Sequence, residues 1–165
     1  MTDFPPARRR PARAIVASGF QLLREGLTGA LDRSGAITVT ASVGDADEAR
    51  ATISDLEPDV VLLDIEMPDS LQLVRAVHAG QHSPRIIAFT VSEADDALVG
   101  YIEAGIDGYV TRAGSLKDFV ATVESVGRGE TIVSPKLAAT LFERARAAND
   151  ASLSGLGDRG TARRE

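Results

Sequence analysis

The chain contains no cysteine, which excludes disulfides, zinc fingers and thiol nucleophiles and fits a reducing cytoplasm. It also lacks an excess of positive charge. The net charge is −6 and the pI about 5.0, which argues against a protein that coats nucleic acid. No apolar run is long enough to span a bilayer. Arg8, Arg9 and Arg10 precede an apolar stretch at residues 14–17 and imitate the start of a signal peptide. That stretch is too short for one, and the segment reads as a tail entering a first strand. There is no internal repeat. What is left, 165 residues of which 44% are hydrophobic and 25% charged, is the composition of one ordinary globular domain with flexible ends.

The most informative stretch is Asp59-Val60-Val61-Leu62-Leu63-Asp64, followed by Ile65-Glu66-Met67-Pro68. An unbroken apolar run has no solvent face, so it reads as a central strand covered by helices on both sides. In such sheets the chemistry gathers at the carboxyl ends of the strands, where Asp64 stands.

Around it, apolar periodicity alternates between strand and helix. Residues 13–17 read as the first strand, followed by a helix with Phe20, Leu23, Leu27, Ala30 and Leu31 on one face. Residues 37–43 form the second strand, and Asp45 with Glu48 has the spacing of a capping box for the next helix. Its inner face is Ala46, Ala49, Ile53 and Leu56. Beyond Pro68 a shorter helix offers Leu71, Val74 and Val77 and stops near Gly80. Residues 85–90 form strand four, Ser92 and Asp95 cap a helix, and residues 107–111 form strand five. Ser115 and Asp118 cap the last full helix. Strands alternating with helices imply an α/β fold with a doubly wound, five-stranded parallel sheet. Residues 1–12 read as a disordered tail and 135–148 as one more helix, with proline in its first turn. Residues 149–165, small, polar and glycine-rich, read as a second disordered tail.

Laid out in this way, the chain resembles the receiver domain of bacterial response regulators of the NarL/FixJ type. The resemblance rests on Leu22-Leu23-Arg24-Glu25-Gly26-Leu27, on Pro58 to Pro68, on Ala104-Gly105-Ile106-Asp107-Gly108-Tyr109-Val110, and on Gly127 to Pro135. It implies a flavodoxin-like fold with strand order 2-1-3-4-5, a receiver domain over residues 13–134 and an exit helix over 135–148. It also implies that Asp64 stands at the phosphoacceptor position, with Thr90 as the phosphate-binding hydroxyl and Tyr109 as the aromatic switch.

The pocket departs from that pattern. Ser18 and Gly19 stand where an acidic pair is expected, Arg112 replaces a lysine, and the turn through Asp69-Ser70 is shorter than usual. Mg²⁺ is usually held by one or two carboxylates plus waters and phosphate oxygens. Asp64 is the sole obvious carboxylate ligand, since Glu66 holds a position that offers its carbonyl in the family. No metal or other cofactor is therefore expected. Arg112, permanently charged and two-pronged, either pairs directly with Asp64 or extends into solvent. Thr90 is either a pocket hydroxyl or an ordinary strand end, and Tyr109 either a switch or a core aromatic. His78 and His82, four apart, are separated by a helix-breaking Gly80.

Three functions follow in order. The first is an atypical, phosphorylation-independent receiver in two-component signalling and transcription regulation, acting through protein partners or a homodimer. A sensor kinase is an open partner, and DNA is reached only through a helix-turn-helix domain absent from these residues. The second is a small-molecule sensor with a cleft at Ser18, Gly19, Phe20 and the shortened loop, beside the alternative of a still phosphorylatable stand-alone receiver. The third is a residual phosphoryl-transfer or phosphatase activity at Asp64, ranked last, so the chain is read as a non-enzyme. The expected compartment is the cytoplasm, with no membrane partner.

Overall fold

The computed structural model of the chain describes residues 10–92, 94, 96–131 and 134–157. Two compact units divide near Ile132.

In the first unit five strands alternate with five helices. They are β1 (Ala12–Ala17), α1 (Gln21–Ser34), β2 (Ile37–Val43), α2 (Ala46–Leu56), β3 (Val60–Asp64), α3 (Ser70–His78), β4 (Arg85–Val91), α4 (Ala97–Ala104), β5 (Gly108–Thr111) and α5 (Leu116–Gly127). The sheet order is β2-β1-β3-β4-β5 and every ladder is parallel, as the alternation requires. Every residue of β3 is buried, which is the cost-free arrangement for a run of Val60, Val61, Leu62 and Leu63 only when helices cover both faces. Edge strand β2 instead alternates, with buried Ile37 and Val43 bracketing exposed Thr38 and Thr40. One core layer joins Val16, Leu31, Leu62, Ile87 and Val123, and within it Phe89 and Phe119 meet edge to face with centroids 5.8 Å apart.

Caps set where the helices begin. Asp45 accepts from the Glu48 N–H at 2.8 Å, and the Glu48 carboxylate reaches back to the Gly44 N–H at 3.0 Å. Ser115 and Asp118 form a full reciprocal capping box, worth about 1 kcal/mol. The Ser115 hydroxyl, then its N–H and the Lys117 charge, hold the Asp118 carboxyl below the usual carboxylate range. The small stabilisation this brings is present above that range and is lost on acidification.

Several details differ from the periodicity. Phe20 is the N-cap of α1 and 61% exposed, so the inner face of that helix begins at Leu23. In α3, Leu73 rather than Leu71 is buried, beside Val74 and Val77, because the short turn starts the helix at Ser70. Helix α4 begins at Ala97 after Asp96, so Ser92 is not its cap; Asp95 lies outside the described residues. Strand β1 begins at Ala12, and Arg10 lies 3.4 Å from Asp59, which shortens the expected tail; residues 1–9 lie outside the described ones.

The second unit holds α6 (Pro135–Gly157). It opens with the Ser134 hydroxyl accepting from the Leu137 N–H at 3.2 Å. It runs nine residues past the expected end at Ala148, through a segment read from sequence as a disordered tail. Ala151 and Leu153 favour helix, and Ser152 and Ser154 stay compatible with it because their hydroxyls bond the carbonyls of Ala148 and Asp150, each at 2.9 Å. Residues 158–165 lie outside the described ones. Among the described residues no helix is long and apolar enough to cross a membrane.

Two backbone positions give opposite stability tests. Gly105 closes α4 at φ +110°, and a Cβ there would stand 2.9 Å from His78 Nδ1, so Gly105→Ala should cost about 1–3 kcal/mol. Glu57 closes α2 in the left-handed region at φ 44°, so Glu57→Gly should gain up to about 1 kcal/mol. Urea unfolding midpoints check both.

Candidate functional site at the end of strand β3

Parallel register assembles the site. Ala17 pairs with Leu63, which carries Ser18 up beside Asp64 from β1. Asp64 pairs with Phe89, which sets Thr90 just beyond it on β4. Three strand ends therefore deliver a hydroxyl, a carboxylate and a second hydroxyl to one point. Ser18 is fully buried and Asp64 only 5% exposed.

A carboxylate in that position must be satisfied by its neighbours. Ser18 Oγ donates to Asp64 Oδ2 at 2.6 Å. The Glu66 backbone N–H donates to Oδ1 at 3.0 Å, and the Thr90 hydroxyl donates to the same oxygen. The Ser18 hydroxyl is in turn fixed by accepting from the Phe20 N–H at 3.2 Å. Thr90 takes a positive φ of 60°, a conformation costing a β-branched residue about 1–3 kcal/mol. The β4–β5 ladder shifts register between Ala88 and Val91 at the same place.

Arg112 follows β5, with its N–H bonded to the Val91 carbonyl at 2.9 Å. The direct Asp64–Arg112 pair weighed from sequence is not formed. The guanidinium instead pairs with the Glu66 carboxylate, and Nε donates to the Thr90 carbonyl at 3.0 Å. The physical reason is that both Asp64 oxygens already have donors, whereas the Glu66 side chain is 54% exposed and available. Gly19 brings no group to the pocket; it is exposed, and a Cβ there would find its nearest neighbour, the Gly44 carbonyl, at 3.9 Å. Tyr109 lies on β5 opposite Ala88 and is buried at 8% exposure. His78 and His82 do not converge: the His78 ring lies against Gly105, and His82 Nε2 meets the Pro58 carbonyl at 2.7 Å.

Four participants escaped the sequence reading of the site. Ser70, buried, lies 2.6 Å from the Tyr101 hydroxyl, and both reach the Ile65 carbonyl, at 3.1 and 3.3 Å. This triangle fastens α4 to the turn after Asp64. Asp69 makes the short turn possible by adopting φ 61°, which aspartate tolerates better than most residues. Arg24 bonds the Ser18 carbonyl and so positions Ser18 from α1. Only the shortness of the Asp69-Ser70 turn hinted at any of this.

Chemically the arrangement is one buried carboxylate with three short-range donors and, among the described residues, no cluster of three His, Asp or Glu side chains placed to hold a metal ion. Phe20, expected to line a cleft with Ser18 and Gly19, faces solvent. A cavity of about 190 Å³ lies instead beyond Thr90, between Leu27, Val110, Arg112, Leu116 and Phe119.

Comparison with known families places this geometry. The model of the response regulator receiver domain matches residues 15–124. The chain belongs to that family. The response regulator GacA of Pseudomonas viridiflava is 29% identical to this receiver over 131 residues, 78% of this chain and 61% of that protein. The nitrate/nitrite response regulator NarL of Escherichia coli K12 is 26% identical over 141 residues, 82% of this chain and 65% of that protein. A crystal structure of a LuxR-family two-component response regulator from Aurantimonas sp. SI85-9A1 superposes with a TM-score of 0.72 at 26% identity, covering 82% of this chain and 98% of that one. The receiver thus spans about three fifths of the length of the Pseudomonas viridiflava relative and about two thirds of the Escherichia coli one, and both relatives are response regulators.

Removing the Ser18 hydroxyl tests the site as a fastening. Ser18→Ala leaves Asp64 Oδ2 without its donor in a buried position and should cost about 1.5–3 kcal/mol. Chemical unfolding measures this, and in an Asp64→Asn background the cost should shrink, because the bond to a charged acceptor is already gone.

Proposed function

We propose that the chain is an atypical receiver module of two-component signalling that works without Mg²⁺-dependent phosphorylation of Asp64. The observation that carries this reading is that protein donors already occupy both oxygens of Asp64. Its two oxygens accept from the Ser18 and Thr90 hydroxyls and from the Glu66 N–H. Mg²⁺ demands a near-octahedral set of oxygens at about 2.0–2.1 Å, usually including one or two carboxylates. Here the residues at the strand ends offer one carboxylate, each of whose oxygens already accepts from a protein donor, and Ser18 and Gly19 add no charge. The donor set does not fit the ion, and no phosphoryl step is derived through it. Without the mutual repulsion of clustered carboxylates there is also nothing for a cation to relieve.

In this reading Asp64, Thr90 and Tyr109 keep the family's positions while Ser18, Glu66 and Arg112 hold the pocket in one state. The module acts in the cytoplasm through protein contacts, with a second copy or another regulator as partner, and contributes to transcription control only through such contacts or through a separate DNA-binding domain. A small-molecule sensor is the second reading, favoured by the cavity beyond Thr90. It ranks lower because about 190 Å³ is less than the roughly 300–1,000 Å³ of common ligand pockets.

The test is a titration with Mg²⁺, alone and with beryllofluoride, followed through the amide shifts of Asp64, Thr90 and Tyr109. Beryllofluoride mimics a phosphoryl group on an aspartate and needs the metal site to form. The expected outcome is no saturable shift in either titration. Saturable shifts that spread to Tyr109 would overturn the reading.

A further inference from the structure

Four contacts close a ring through Asp64, Glu66, Arg112 and Thr90. The Glu66 N–H donates to Asp64 Oδ1 at 3.0 Å, the Glu66 carboxylate pairs with Arg112, Arg112 Nε donates to the Thr90 carbonyl at 3.0 Å, and the Thr90 hydroxyl returns to Asp64 Oδ1. Exposure rises sharply across that ring. Asp64 is 5% exposed, while the Glu66 and Arg112 side chains above it are 54% and 60% exposed. The ion pair is therefore the solvent-side layer and the carboxylate the inner one.

We propose that the Glu66–Arg112 ion pair is a removable bar across the mouth of the pocket, which keeps solutes from Asp64 while it is closed. The proposal rests on the reading of this chain as a receiver held in one state at Asp64 and concerns how that carboxylate is shielded. The backbones that carry the two side chains are anchored. Arg112 N–H bonds the Val91 carbonyl at 2.9 Å, and the turn under Glu66 is held by the Met67 N–H on the Asp64 carbonyl at 3.1 Å. Opening thus needs only side-chain rotation, with no movement of strand or helix. An exposed ion pair contributes little to stability and is screened by salt, which makes a poor staple and a suitable gate. A partner that presents its own carboxylate or phosphate to Arg112, or its own cation to Glu66, would open the bar by exchange.

The experiment labels the full chain with a water-soluble carbodiimide and glycinamide and follows the initial rate at Asp64 by peptide mass spectrometry, counting only peptides whose Glu66 is unlabelled, with exposed Asp47 of α2 as the internal reference. Glu66→Gln and Arg112→Gln should each raise the Asp64 rate relative to Asp47 by about two- to fivefold, the range an exposed pair supports. Raising salt from about 0.01 M to about 1 M, over which the Debye length falls from about 30 to about 3 Å, should raise the wild-type rate and leave E66Q unaffected. An Asp64 rate unchanged in either substitution overturns the bar, since the pair has no other member. A salt response undiminished in E66Q, or none in the wild-type chain, overturns it as well. The labelling uses neither metal nor phosphoryl mimic. Mg²⁺ binding by the wild-type chain would therefore sink the proposed function and leave the bar standing, and failed labelling would do the reverse.

Discussion

A carboxylate at the end of a strand buried on both faces has to be satisfied from within the protein, and in this receiver the rest of the site follows from that requirement. Asp64 is 5% exposed at the end of a strand whose Leu62 and Leu63 are buried. The donors must come from the ends of the neighbouring strands, and the register of β1 and β4 supplies Ser18 and Thr90. Holding Thr90 there requires an unfavourable backbone angle, which the bonds to Asp64 and Arg112 offset. Arg112 then finds Asp64 fully engaged and turns to Glu66. One buried charge thus fixes a strained residue, a shifted ladder and a surface ion pair.

Much of the architecture was legible because apolar periodicity and the rules for parallel sheets leave few alternatives. The run at Val60 to Leu63 could only be a central strand, and the Ser115/Asp118 pair marked a helix start that forms as a full capping box. The misreadings have distinct causes. Phe20 and Leu71 were assigned by continuing a helical period past the point where a cap or a short turn ends it, and Ser92 by capping-box spacing alone. Residues 149–157 were judged from composition, whereas serine hydroxyls returned to the helix's own carbonyls make that composition compatible with helix.

The site was legible in its positions more than in its contacts. Asp64, Ser18 and Thr90 meet, as strand ends in this topology must. The partner of Arg112 depended on which acceptors were already taken, and no spacing rule encodes that. Ser70 and Tyr101 sit in different elements, with no sequence relation to announce the bond between their hydroxyls.

The hydrogen bond between Ser18 and Asp64 has a further consequence, for how the molecule breathes. Rims of α/β sheets, where ligands bind, commonly belong to the least protected part of a protein and open locally while the core stays shut. Here the rim is tied across β1, β3 and β4 by Ser18 and Asp64, as buried as the core beneath them, and by the partly buried Thr90. Separating these strand tips breaks both hydroxyl bonds to Asp64 at once, which couples the rim to the centre of the sheet. The place where a receiver would ordinarily be softest is thereby part of its cooperative unfolding unit.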